Sequence, residues 1–169
     1  LGDVYKRQIN SLMPVACQIA DLGRQWSVLV HSRMLTYAHI LDFDTKFRAL
    51  LSSLPIFLRP DPTLEQLPEV RQEQAQRPYL AMHRLIVFEA VNQRLLVLHR
   101  DDMCRGHHDE KYAYSTRVAV DAARTILSCR QQIDNVHPAV QKHAAFRHHL
   151  FQAAIVLSIH LLELSHKAQ

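Results

Sequence analysis

Histidine is the residue type in this chain that most suggests chemistry. Twelve histidines occur among 169 residues, and His107 and His108 are followed directly by Asp109 and Glu110. All four residue types can ligate a metal ion. Consecutive side chains diverge from a single ion, however, and the sequence contains no H-E-x-x-H motif. The pattern favours hydrogen-bonded or solvated histidines, and a metal-dependent enzyme that uses His107, His108 and Asp109 stays open as an alternative.

Other residues that catalysis could use also lack partners in the sequence. Asp101 and Asp102 are adjacent carboxylates at the expected end of a helix, where we expect them to be solvated and to mark the helix boundary. Cys104 lies near Arg105 and His107, which could activate a thiol, but no base with an orienting residue accompanies it. With only three glycines in the chain, a phosphate-binding glycine loop is disfavoured. We predict no enzymatic activity, no catalytic residue, no metal site and no cofactor in this chain.

The cysteine and charge patterns narrow the class of protein further. Cys17, Cys104 and Cys129 are far apart, which provides neither a disulfide framework nor a C-x-x-C zinc motif and favours a reducing intracellular compartment. The formal net charge is +4, but basic residues alternate with acidic ones along the chain instead of forming a stripe. A nucleic-acid-binding face requires such a stripe or patch. We therefore expect that this segment does not contact DNA itself.

The first eight residues are predicted not to belong to the natural protein. Residues 1–8 read LGDVYKRQ, and this run is similar to the translation of a transposon end used as a sequencing adaptor. We therefore interpret residues 1–8 as adaptor-derived and residues 9–169 as the protein's own sequence. The natural protein is expected to extend upstream of residue 9.

Composition and apolar periodicity predict an all-α fold, an irregular multi-helix domain with a long proline-rich loop. In the first third of the chain, Pro14 is predicted to open a helix and Gly23 to end it. A second helix is predicted from Trp26, with apolar residues at helical spacing as far as Leu41. A third apolar stretch, 43–54, follows, and Asp42 or Asp44 is the expected cap between the two.

The remaining elements follow from prolines and periodicity. Five of the seven prolines lie in residues 55–78, which predicts a connection with one helical turn at 69–76. Residues 79–100 predict a helix that is apolar around most of its girth, and 101–112 form a polar break. Ser115 is the expected N-cap of an amphipathic helix whose stripe is Val118, Ala119, Ala122, Ala123, Ile126 and Leu127. Pro138 is expected to open a last helix, whose apolar part, 150–164, is too short and too polar to span a membrane and is predicted to be buried.

Three stretches of the sequence resemble a known family. Residues 42–55 (DFDTKFRALLSSLP), 93–100 (QRLLVLHR) and 111–115 with 121–127 (KYAYS, DAARTIL) are similar in order and spacing to motifs of the fungal-specific transcription factor domain. That domain is the regulatory α-helical region of zinc-cluster activators. The resemblance covers residues 26–165. The chain departs from it after His99 and Arg100, where Asp101 and Asp102 replace the family's proline and aromatic residue.

The resemblance implies a regulatory segment of a nuclear, sequence-specific regulator of RNA polymerase II transcription. It implies that DNA and zinc are bound by a zinc cluster outside this chain, and that this segment senses a small effector, binds a co-regulator or forms a homodimer, with no membrane partner. Within it, His99, Arg100 and Tyr114 flank the loop and are predicted to form a polar junction, either structural or in contact with an effector. A stand-alone helical scaffold for protein interaction is the other alternative.

Overall fold

A computed structural model describes the backbone of residues 2–61, 63–136 and 144–168. Within these ranges the chain forms six α-helices and no strand, so the predicted all-α fold is confirmed. The helices are α1 (Gly2–His31), α2 (Tyr37–Ser53), α3 (Pro68–Gln76), α4 (Tyr79–Met103), α5 (Ala113–Val136) and α6 (Ala144–Lys167). Contacts group the chain into two compact units, Leu1–Val91 and Asn92–Gln169, so that the boundary falls inside α4. None of the described helices combines the length and the apolar character required to cross a bilayer.

Helix α1 does not follow its predicted boundaries. The predictions that Pro14 opens a helix and that Gly23 ends one are wrong, because α1 runs through both residues. Val15, Ile19 and Gly23 are buried at intervals of four residues, and α1 packs against α2. Burial of one continuous face outweighs the missing amide of proline and the weak helix propensity of glycine. The helix ends just before Arg33, which adopts a left-handed conformation with φ of 57°.

Helix α2 begins at a capping box that the sequence analysis missed. The Thr36 hydroxyl accepts a bond from the His39 amide at 3.4 Å, and the His39 ring accepts one from the Thr36 amide at 3.2 Å. The break at this point also divides the helix predicted from Trp26 to Leu41. The prediction that Asp42 or Asp44 caps the helix is wrong, since both lie inside α2.

The proline-rich connection has the predicted character. It contains two 3-10 turns, Ile56–Leu58 and Leu64–Gln66, and α3 is the short helix that the sequence predicts at 69–76. Leu58 and Val70 are buried. The buried guanidinium of Arg84, on α4, forms an ion pair with Glu65 at 3.1 Å. This pair ties the connection to the first half of α4.

Helix α4 buries side chains around most of its girth, as predicted, but it extends to Met103. Asp101 and Asp102 therefore do not mark its end. Asp101 is exposed, whereas Asp102 is buried and its carboxylate accepts a bond from Arg105 at 2.7 Å. The expectation that both acids are solvated is wrong for Asp102, because this ion pair compensates its burial.

Helices α5 and α6 pack against each other. The predicted stripe of α5 is buried from Val118 to Ile126, while Leu127 is 39% exposed. The prediction that α6 is a buried helix is wrong: Ala153 and Val156 are buried, but Phe151 and Leu161 are 64% and 65% exposed. One face of α6 packs on α5, and apolar side chains on its other positions stay exposed. Pro138 lies outside the described residues.

Candidate functional site

A buried polar junction connects the end of α4 to the start of α5. We define the polar junction as His99, Tyr114, Ser115 and Thr116. The His99 Nδ1 and Ser115 Oγ atoms are 2.9 Å apart, and both side chains are fully buried. The Tyr114 ring meets the His99 ring edge-on, with centroids 5.7 Å apart. A hydrogen bond between buried polar groups offsets the cost of removing them from water, so this pair fixes the register of the two helices.

Thr116 supplies the second bond of the polar junction. Its hydroxyl donates to the Met103 carbonyl at 2.8 Å. Met103 is the last residue of α4, and the last carbonyls of a helix have no partner within it. The Thr116 side chain therefore caps α4 from the first turn of the following helix.

The structure brings together two of the three predicted junction residues. His99 and Tyr114 are in contact, whereas Arg100 is exposed and its Nε donates to Asp101 at 3.2 Å. Whether the junction touches an effector stays a prediction. Ser115 is not the N-cap of α5, since the helix already begins at Ala113 and the Ser115 hydroxyl faces His99.

The positions of Ser115 and Thr116 in the sequence are themselves a signal for the polar junction. Ser115 precedes the buried Ala119 by four residues, and Thr116 precedes the buried Val120 by four. Both polar residues thus extend the buried face of α5. A polar pair on such a face requires buried hydrogen-bond partners, which is the role the structure gives them.

Arg105 organises the turn that follows α4. Besides its bond to Asp102, its guanidinium donates to the Tyr112 hydroxyl and lies 3.8 Å from the centroid of the Tyr112 ring. Stacking and hydrogen bonding on the same aromatic residue are typical of arginine. The turn at 105–107 is held in this way onto the turn at 110–112.

His107 and His108, singled out in the sequence, lie in the turn that follows α4, but they do not converge. His107 Nε2 lies 3.2 Å from His160 Nδ1 of α6, while His108 Nε2 lies 3.2 Å from Glu163 Oε2. The Asp109 carboxylate instead accepts a bond from the backbone amide of Lys111 at 2.9 Å. Among the described residues, no group of three or more His, Cys, Asp or Glu side chains is arranged to hold a metal ion.

The environment of His107 disfavours its charged form. Burial is the main cause that lowers its pKa from the usual 6.5, and the neighbouring His160 lowers it further. Glu163 opposes the shift, while Lys167 and His108 add to it. Lys167 also donates a hydrogen bond to the His107 carbonyl. The ring of His107 is therefore kept neutral near pH 7, which suits its contact with a second imidazole.

An open groove lies between α1 and α2 in unit 1. It has a volume of about 630 Å³, within the range of pockets that hold small molecules, and its lining includes Cys17, Leu22, Ala49 and Leu50. Asp21 of α1 and Lys46 of α2 also line the groove, alongside its mostly apolar surface. The sequence alone assigns none of these residues to a site, because each is unremarkable until the two helices are placed side by side.

The two charged residues of the groove are held in place by neighbours on their own helices. Asp21 accepts bonds from Arg24 and Gln25, and these bonds lower the pKa of its carboxyl below 3.8. Lys46 pairs with Asp42 at 2.8 Å. Both charges are thus partly neutralised, which leaves the groove suited to a predominantly apolar ligand.

Two curated proteins are similar to this chain over much of its length. The agnestins biosynthesis cluster transcription factor AgnL11 of Paecilomyces divaricatus is 30% identical over 125 residues, which cover 73% of this chain and 17% of that protein. The probable transcription factor lepB of Aspergillus flavus is 25% identical over 165 residues, which cover 95% of this chain and 26% of that protein. No protein-family model and no solved structure matches the chain.

These similarities relate the chain to fungal transcription factors and support a role in transcription regulation. The chain spans only about a sixth to a quarter of the length of these relatives. Both are named as transcription factors and neither is named as an enzyme. The two alternatives drawn from the sequence, the metal-dependent enzyme and the stand-alone scaffold, gain no support from the comparisons.

Proposed function

We propose that this chain is a regulatory segment of a nuclear fungal transcription regulator that controls RNA polymerase II transcription. The similarity to two named transcription factors carries the proposal, since one of the alignments covers 95% of the chain. In this proposal DNA binding, and the zinc that it requires, belong to another part of a longer protein. Three scattered cysteines are too few for a six-cysteine zinc cluster.

The proposed regulatory role is to sense a small effector. The groove between α1 and α2 is the part of the described structure that supports this role, because its volume and mostly apolar lining suit a small organic molecule. An effector bound there would contact both helices. It would act by favouring one packing of α1 on α2 over another, and the regulatory effect could be no larger than its difference in affinity for the two packings.

A reporter assay tests the proposal. The 169-residue chain is fused to a heterologous DNA-binding domain and expressed in a filamentous fungus that carries the matching reporter gene. We expect reporter output of the fusion to change by about fivefold or more between growth conditions that supply and withhold the effector, the lower end of typical allosteric couplings, while output of the DNA-binding domain alone stays constant. Equal output from the fusion and from the DNA-binding domain alone under all growth conditions would refute the regulatory role.

Matched variants separate the groove from the rest of the segment. Ala49→Trp places an indole in the groove, whereas Ala38→Trp places the same side chain on an exposed position of α2 that does not line it. We expect the first variant to lose the change in reporter output and the second to keep it. If both variants behave alike while remaining folded, the effector site is not this groove, although the regulatory role would stand.

A further inference from the structure

The contact between His107 and His160 joins two elements that are far apart in the chain. His107 belongs to the 3-10 turn Arg105–His107, and His160 lies 53 residues later on α6. Their facing nitrogens, Nε2 and Nδ1, are 3.2 Å apart, and the ring centroids are 5.1 Å apart at an angle of 37°. His108 and Glu163 form a second, parallel contact between the same two elements.

Proton counting limits the states in which the two imidazoles can stay together. A hydrogen bond between two rings requires one N–H group and one bare nitrogen. Two neutral rings can provide this pair, and so can one neutral ring and one cationic ring. Two cationic rings cannot, because both facing nitrogens then carry hydrogen and both rings carry positive charge.

The surroundings provide little compensation for a second positive charge. Besides the two rings, the charged and titratable groups that act on His107 are Glu163, Lys167 and His108. Glu163 is the one carboxylate of this set, and it is already engaged by His108 at 3.2 Å. Lys167 adds a permanent positive charge beside the His107 carbonyl.

Charged groups on the other elements packed against the turn lie at exposed positions or are engaged elsewhere. Those of the first half of α5 and of the turn at 110–112 are exposed: Asp109, Glu110, Lys111, Arg117, Asp121 and Arg124. At the end of α4 and in the turn itself, Arg105 binds both Asp102 and Tyr112. Asp101 pairs with Arg100, and His166 on α6 is exposed.

We propose that the His107–His160 contact is a proton-sensitive latch, which holds the turn after α4 on α6 while the pair carries at most one extra proton and releases it when both rings are charged. The released elements are the turn at 105–109 and the last two turns of α6. The latch is closed at neutral pH and above. It weakens as the pH falls below about 6.5, the usual pKa of histidine, because only the open form readily accepts the second proton.

Hydrogen exchange of the complete 169-residue chain tests the latch. Exchange of backbone amides in residues 158–168 is measured by mass spectrometry at pH 7.5 and pH 5.5, and each rate is corrected for the intrinsic effect of pH. We expect protection in this segment to fall about tenfold at the lower pH, because pH 5.5 lies one unit below the usual histidine pKa of about 6.5 and the second proton binds only to the open latch. Protection of residues 118–126 in the middle of α5 should stay constant, because the latch opens locally.

Three glutamine variants identify the groups responsible. In His107→Gln and His160→Gln a polar side chain stays in the contact but cannot take up a proton, so we expect the loss of protection at pH 5.5 to shrink to less than about twofold. His148→Gln removes an exposed histidine of the same helix, and the tenfold loss should persist. Constant protection in the parent chain, or an unchanged tenfold loss in the first two variants, would overturn the proposal.

A second measurement on the parent chain avoids reliance on variants that do not fold. Nuclear magnetic resonance of ¹⁵N-labelled imidazoles reports the protonation of each ring directly. The latch requires that the resonances of His107 and His160 titrate in two coupled steps, the lower of which coincides with the loss of protection. If both rings become doubly protonated while residues 158–168 stay protected, the latch does not exist.

Discussion

At Gly106 the turn after α4 passes close to the neighbouring backbone. A Cβ atom at this position would lie 2.7 Å from the carbonyl carbon of Tyr112 and closer still to the Tyr112 carbonyl oxygen and the Thr116 hydroxyl. Two of these atoms belong to the backbone and cannot rotate away. The third is held by its hydrogen bond to Met103. Gly106→Ala therefore forces the turn and the start of α5 apart.

The size of the effect follows from three terms. Inserting a methyl group into a filled site costs about 1–3 kcal/mol, and weakening the bond from Thr116 to Met103 costs about 0.5–1.5 kcal/mol more. Against these, replacing glycine stabilises the fold by about 0.4–1 kcal/mol because it restricts the unfolded chain. This gain applies in full, since Gly106 does not have a positive φ. The free energy of unfolding should fall by about 2 kcal/mol.

Urea unfolding followed by circular dichroism at 222 nm measures this change. With a denaturant slope of about 2 kcal/mol/M, the midpoint should move down by about 1 M. Arg117→Ala, at an exposed position of α5 near the same turn, is the matched control and should stay within about 0.5 kcal/mol of the parent. A Gly106→Ala midpoint as close to the parent as that of the control would refute the steric reasoning.

Three further predictions concern stability and use the same urea assay. Ser115→Ala removes one hydrogen-bond partner of the buried His99 ring and should lower the free energy of unfolding by about 1–3 kcal/mol. Thr36→Ala removes the capping box of α2 and should lower it by about 1 kcal/mol. A loss below about 0.5 kcal/mol would contradict either one. Burial lowers the pKa of His83 and of His107 below 6.5, so the unfolded chain binds more protons near pH 6. Stability should be greatest above pH 6.5 and fall as the pH drops through the folded pKa values, whereas equal midpoints at pH 7.5 and 5.5 would contradict the shifts.

Secondary structure was predicted best from the sequence where residues close together in the chain determine it. The prolines predict the connection at 55–78, and a stripe of small apolar residues predicts the buried face of α5, because both signals act within a few residues. The boundaries of α1 differ from the predicted ones because its continuity through Pro14 and Gly23 depends on burial against α2. The exposure of Phe151 on α6 was missed for a related reason: periodicity marks an apolar face but does not say whether a partner covers it.

In the candidate sites too, contacts between residues close in sequence were easier to predict than contacts made by distant parts of the chain. His99 and Tyr114 were predicted to share a junction and are in contact, whereas Arg100, adjacent to His99 in sequence, lies on the exposed side of α4. One helical residue turns the side chain by about 100°, so neighbours in sequence rarely share a site. His160 could not be paired with His107 from the sequence, because 53 residues separate them and no local pattern encodes such a contact.

The polar residues that first suggested catalysis have structural roles in the connection between α4 and α5. A connection with a single glycine must join two long helices, and the polar groups it leaves unsatisfied need partners. The Met103 carbonyl is satisfied by Thr116 and the His107 carbonyl by Lys167, while Arg105 neutralises the buried Asp102. This connection is thus held mainly by side-chain hydrogen bonds and not by a large apolar core. Segments with few buried apolar contacts have the lowest free energies of local unfolding in a protein. Local unfolding of unit 2 should therefore begin in the connection between α4 and α5.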